Sequence, residues 1–151
     1  PEMYYTMVQE SRAIINESLL EDLQKIKLSK EAFTSYINQT KDHLKSNKQL
    51  LALDKQEGSM LKSDAVIYSV MLRLRGIFII QCILNKKRFS NLSFKKWLKT
   101  KGVKRNEFQE AYQGFCAVRD NKKIKQKISL ELVERLINVL NEETENLRIK
   151  L

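Results

Sequence analysis

The sequence predicts an all-α fold, an antiparallel four-helix bundle with additional short helices. Three observations carry that expectation. Apolar residues recur three or four apart along almost all of the 151 residues. The chain holds 4 Gly and 1 Pro, too few for an architecture built on many turns. No stretch alternates apolar and polar residues as a half-buried strand would. The length fits a single domain spanning residues 1–151 and suffices for a real core.

Six helices follow, four of them long. Val8, Ile15, Leu19, Leu23 and Ile26 trace a first apolar stripe, with Arg12 inside it. Ser29 caps a second helix, whose Phe33, Ile37, Leu44 and Leu51 are spaced by four, seven and seven. That helix fades between Asp54 and Gly58, and Gly58-Ser59 marks a turn. A third helix runs from Met60 to Lys86 and is apolar nearly all round between Ala65 and Leu84, which places it at the centre of the bundle. Gly76 inside it costs about 1 kcal/mol relative to Ala, a cost that close approach of another helix would explain.

Residues 87–91 form a basic loop. Ser93 is the expected cap of a short helix carrying Phe94, Trp97 and Leu98, and Gly102 centres the next turn. A fifth helix shows Phe108, Tyr112, Phe115 and Val118 on one face and ends at Asp120-Asn121-Lys122-Lys123. Ser129 caps the last helix, with Val133, Leu136, Ile137, Leu140 and Leu147 inward and Glu142, Glu143 and Glu145 expected outward. A coiled-coil dimer fits less well, because aromatic residues crowd the stripes and turns interrupt the heptads.

Charge is unevenly distributed. The formal net charge is +10, and residues 86–127 alone hold 14 Lys+Arg against 3 Asp+Glu, or +11. The excess therefore sits in one segment, which points to an anionic partner. Lys95 and Lys99 share one face of the short helix, and Lys96, Arg119, Lys122 and Lys123 join them as expected phosphate contacts. Arg73 and Arg75 lie two apart in the apolar third helix, so they face different ways. A buried arginine needs a carboxylate or a phosphate. Asp120 is the expected carboxylate; the functional alternative sets Arg73 or Arg75 with Arg119 and Lys122 around a phosphate. Trp97 reads as a core residue that could also stack on a base.

Catalytic and metal signatures are absent from the sequence. The single His43 sits on a polar helix face and reads as a surface residue. Cys82 and Cys116 lie 34 residues apart without ligand spacing and read as small core hydrophobes in a reducing cytoplasm. There is no phosphate-binding Gly-rich motif and no carboxylate pair for two-metal chemistry. No cofactor, no catalytic residue and no metal ligand is expected. Neither a signal peptide nor a membrane span is read, since Arg73 and Arg75 interrupt the most apolar stretch. The chain begins at Pro1 rather than Met, which leaves open a longer parent protein.

One further pattern runs from Leu72-Arg73-Leu74-Arg75-Gly76 through Phe89-Ser90-Asn91-Leu92-Ser93-Phe94-Lys95-Lys96-Trp97-Leu98 to Ala111-Tyr112 and Val118-Arg119-Asp120. It resembles the helical C-terminal, HEPN-like part of archaeal nucleotidyltransferases of the DNA polymerase β-like kind, over roughly residues 60–150. The resemblance implies an antiparallel bundle that accompanies a nucleotidyltransferase catalytic domain or subunit. It also implies that Arg73, Arg75 and Arg119 contact substrate or hold the bundle together. The transferase's Gly-Ser turn with paired aspartates has no counterpart here, because no Asp-x-Asp follows Gly58-Ser59. HEPN ribonucleases carry a His four to six residues after an Arg, and none follows Arg73, Arg75 or Arg119.

The leading expectation is thus a non-catalytic helical domain binding nucleic acid or nucleotide phosphate. The alternatives are a scaffold docking an acidic protein partner, and a HEPN-like ribonuclease acting through Arg119 and nearby lysines without His. A homodimer is left open.

Overall fold

The computed structural model describes Val8 and residues 29–124 and 127–151. Apart from Val8, the first expected stripe, Arg12 included, lies outside the described residues. Five helices follow: α1 (Lys30–Glu57), α2 (Asp64–Leu84), α3 (Asn91–Thr100), α4 (Arg105–Arg119) and α5 (Leu130–Lys150). α1, α2, α4 and α5 form a four-helix core, and the short α3 packs on α4. Cross-helix pairs give the directions. Tyr36 meets Gly76 and Asn47 bonds Ser69, so α1 and α2 are antiparallel. Lys41 pairs with Glu145 and Lys55 with Glu134, so α1 and α5 are antiparallel as well.

α1 begins where Ser29 Oγ accepts the Ala32 amide at 3.3 Å, which satisfies one of the helix's orphan donors. Its buried seam is Phe33, Ile37, Thr40, Leu44, Asn47, Leu51 and Asp54, a regular alternation of four- and three-residue steps. The apolar pattern showed only four of these seven. Each polar member is satisfied locally: Thr40 Oγ1 donates to the Tyr36 carbonyl at 2.8 Å, and Asn47 Nδ2 donates to Ser69 Oγ at 3.0 Å. Asp54 closes the α1–α2 corner by accepting the Lys62 and Ser63 amides, both at 2.9 Å, and the Ser63 hydroxyl at 3.0 Å.

α2 is the hub, in contact with α1, α4 and α5. Val66, Ile67, Val70, Met71, Leu74, Ile77 and Ile80 are fully buried. Such side chains contribute about 1.5–3 kcal/mol each. By length and composition α2 could cross a membrane, and 61% of its apolar window is buried inside the bundle. It starts at Asp64 rather than Met60. Met60 instead forms an isolated antiparallel bridge with Ser129, through Leu61 N to Ile128 O at 2.8 Å and Leu130 N to Ser59 O at 3.0 Å. The expected close approach at Gly76 is real: a Cβ there would fall 1.8 Å from Tyr36 Oη.

The cap of α3 differs from expectation. Ser90 is the N-cap, and Ser93 is its partner three residues on. Ser90 Oγ accepts the Ser93 amide at 3.0 Å and Ser93 Oγ accepts the Ser90 amide at 3.0 Å, a reciprocal capping box. Ser29 and Ser129 cap α1 and α5 as the sequence suggested, the latter accepting the Leu132 amide at 3.2 Å. Gly102, at φ +83°, turns the chain out of α3 in a conformation that L side chains resist.

Glu143 corrects the reading of α5. It was expected on the outer acidic face and is instead 4% exposed. Its carboxylate accepts Lys101 Nζ at 2.5 Å and Gln81 Nε2 at 2.7 Å, tying the α3–α4 corner to α2 and α5.

Candidate functional site

Arg73 and Arg75 leave α2 toward different neighbours. The Arg73 guanidinium lies 5.1 Å from the Tyr36 ring centroid, on the α1 side. Arg75 turns toward α3 and α4. Its guanidinium lies 5.2 Å from the Phe89 centroid, 5.9 Å from Phe94 and 6.0 Å from Phe115, and Nη1 donates to Asn91 Oδ1 at 2.8 Å. Neither arginine pairs with a carboxylate among the described residues. Both are half-buried, so water still reaches them, and ring faces supply the remaining stabilisation, about 0.5–2 kcal/mol for a cation over an aromatic ring. The expected partner, Asp120, is taken by its own neighbour: Arg119 Nε and Nη2 donate to its two oxygens at 2.8 and 3.3 Å. Arg119 therefore does not share a phosphate pocket with Arg73, which faces another helix.

Around Arg75 the aromatic side chains form a connected set. Phe78 meets Phe89, Phe94 and Trp97 at centroid distances of 6.0, 5.7 and 5.1 Å. Phe94 meets Phe108 at 6.0 Å. Along α4, Phe108 stacks on Tyr112 at 5.4 Å and 15°, Tyr112 reaches Phe115 at 6.0 Å, and Phe115 stacks on Tyr68 of α2 at 5.3 Å. Phe94 and Phe115 are buried, whereas Phe89, Trp97, Phe108 and Tyr112 are half-buried. Trp97 packs against the core, as its place on α3 suggested.

One lysine of α3 reaches this set, and other cations are exposed on α3 and at the start of α4. Lys95 Nζ lies 5.8 Å from the Phe108 centroid. Lys96 and Lys99 are exposed on α3, and Lys104 and Arg105 are exposed at the start of α4. None of these five pairs with a carboxylate among the described residues. Lys101, from the same basic run, is spent on Glu143. The carboxylates of the region are also engaged: Glu107 accepts the Lys104 amide at 2.8 Å and Arg135 Nη1 at 2.6 Å, and Asp120 holds Arg119. Elsewhere on the bundle, α5's Glu134 and Glu145 pair with Lys55 and Lys41 of α1. By formal count α1 and α5 together hold 8 Lys+Arg against 9 Asp+Glu, whereas α3 and α4 hold 5 against 2.

Lys122 and Lys123 sit apart from the aromatic set, in the turn after α4. They line an open cleft of about 330 Å³ with Gln113, Cys116, Ala117 and Asp120. The Asp120 carboxylate makes this cleft less favourable to an anion than the lysines alone would.

His43 is exposed on α1, as expected. Partial burial and the nearby Arg73 cation hold its pKa below the ordinary value, against the opposing pull of Asp42. Cys82 is buried and its thiol pKa is pushed up by burial, which suits a core residue. Among the described residues no group of three His, Cys, Asp or Glu side chains could hold a metal ion. The sequence named Lys95, Lys96 and Lys99 but read Phe108 and Tyr112 only as a helix's apolar face. Their spacing of four signals a shared stripe; nothing in the sequence marks it as only half-buried.

Compared with known proteins, the chain matches no family model, no curated protein and no solved structure.

Proposed function

We propose that this chain is a non-catalytic helical domain that binds nucleic acid through the cationic side of α3 and α4. The observation that carries this reading is the separation of charge. Lys95, Lys96, Lys99, Lys104 and Arg105 have no carboxylate partner among the described residues, whereas α5's Glu134 and Glu145 are neutralised by α1. Unpaired cations on adjoining helices suit backbone phosphates, which they bind without reading sequence. Arg119 is ion-paired with Asp120, and Lys122 and Lys123 line a separate cleft, so none of the three belongs to this unpaired set. The resemblance to the helical part of nucleotidyltransferases adds a second partner to this reading, a separate catalytic domain that acts on the chain this bundle holds.

The test is charge reversal. Lys95→Glu with Lys99→Glu should weaken binding to RNA and DNA of unrelated sequences by at least about tenfold. It should also reduce the slope of log affinity against log salt by about two. Fluorescence anisotropy at several salt concentrations reads both, and far-ultraviolet circular dichroism should be unchanged. Unaltered affinity removes this surface from the account. Binding to an acidic peptide with none to RNA or DNA replaces the proposal with an acidic protein partner.

A further inference from the structure

We infer that the α3–α4 face takes single-stranded nucleic acid and holds an unstacked base against the Phe108–Tyr112 pair. The inference rests on the reading above and narrows it to one class of ligand. Arg105, Phe108, Tyr112 and Arg119 recur at steps of three, four and seven, so they share one stripe of α4 about 21 Å long. The stripe carries Arg105 at one end, two rings between, and Arg119, ion-paired with Asp120, at the other. Those rings are parallel within 15° and half-buried, packed on the core with part of each side chain reaching solvent. Across the stripe, Lys95 projects over Phe108 from α3 and Arg75 reaches Phe115 from α2.

A duplex offers such a surface only its phosphates, because its base faces are covered by their neighbours. A single strand offers phosphates and free base faces together, which is the pairing this stripe presents. The rings are also backed by a rigid shelf. Phe108 leans on buried Phe94 and Tyr112 on buried Phe115, so little side-chain freedom is lost when a base arrives.

The experiment uses a fluorescein-labelled oligouridine 12-mer and a 12-base-pair RNA duplex, titrated with the full chain. The single strand should bind more tightly at equal salt. Tyr112→Leu, which keeps an apolar side chain on the shelf, should weaken single-strand binding by about tenfold and leave duplex binding within twofold. Tyr112→Trp should retain or raise single-strand affinity, which separates stacking from a folding defect. Equal affinity for both strand classes, or no response to Tyr112→Leu in a variant with unchanged melting temperature, overturns the inference. If Lys95→Glu with Lys99→Glu still abolishes binding in that case, the electrostatic reading survives alone. If neither probe binds, both readings fall.

Discussion

Replacing Glu143 with Gln probes the joint between the α3–α4 corner and the core. The carboxylate is 4% exposed and accepts Lys101 Nζ at 2.5 Å and Gln81 Nε2 at 2.7 Å. A glutamine keeps the shape but offers one acceptor oxygen in place of two. Its NH2 then faces a donor from Lys101 or Gln81. One charge-assisted hydrogen bond is lost, and Lys101, 29% exposed, turns to water. The expected cost is about 2 kcal/mol, or roughly 6 °C in Tm for a chain of this size.

The pH dependence gives the sharper reading. Burial pushes the Glu143 pKa up, but hydrogen bonds from Lys101 and Gln81 together with the Lys101 charge outweigh it and hold the carboxyl below its ordinary value. A folded-state pKa that is depressed adds stability above the unfolded pKa, about 4.3, and that stability is lost as pH falls through the folded value. Urea unfolding at pH 7 and pH 3 should therefore show a gap between parent and variant that narrows in acid. A variant within about 0.5 kcal/mol of the parent at pH 7, or a gap constant down to pH 3, would refute the reasoning.

Two further outcomes test the frame that presents the site. Asp54→Ala leaves the Lys62 and Ser63 amides without their acceptor at the α1–α2 corner; it should cost about 2–3 kcal/mol by urea unfolding, and a neutral result would mean water replaces the carboxylate at no cost. Gly102→Ala meets no neighbouring atom but must hold φ near +83°. It should lower stability by about 1 kcal/mol in a thermal melt, and an unchanged Tm would show that the corner relaxes to another conformation.

The all-helical bundle was legible because α2 and α5 bury what their apolar periodicity marks. Gly76 was legible too, since a glycine in an apolar helix interior calls for a close neighbour, and Tyr36 supplies it. Thr40, Asn47 and Asp54 were not, although they complete the α1 seam at regular steps. Hydropathy reads a polar residue as outward, whereas burial is permitted wherever a hydrogen-bond partner waits: a carbonyl one turn back for Thr40, and groups beyond the helix for Asn47 and Asp54. Glu143 escaped for the same reason: its stabilising groups are 42 and 62 residues away in sequence. The α3 cap moved by three residues because either serine of a capping box satisfies the same local rule. For Arg75, the need for a partner was evident and the partner was not. Aromatic faces and an asparagine took the place reserved for a carboxylate.

The pairing of α5 carboxylates with α1 lysines has an effect at long range. Among the described residues it leaves α1 and α5 near formal charge balance while α3 and α4 carry a positive excess, so the charge is unevenly placed. In the field of a polyanion the bundle would experience a torque that turns the α3–α4 flank forward before any atoms touch. That orienting field extends about 10 Å at 0.1 M salt and about 3 Å at 1 M. The first quantity to respond to ionic strength should therefore be the association rate, with dissociation following the contacts made after arrival.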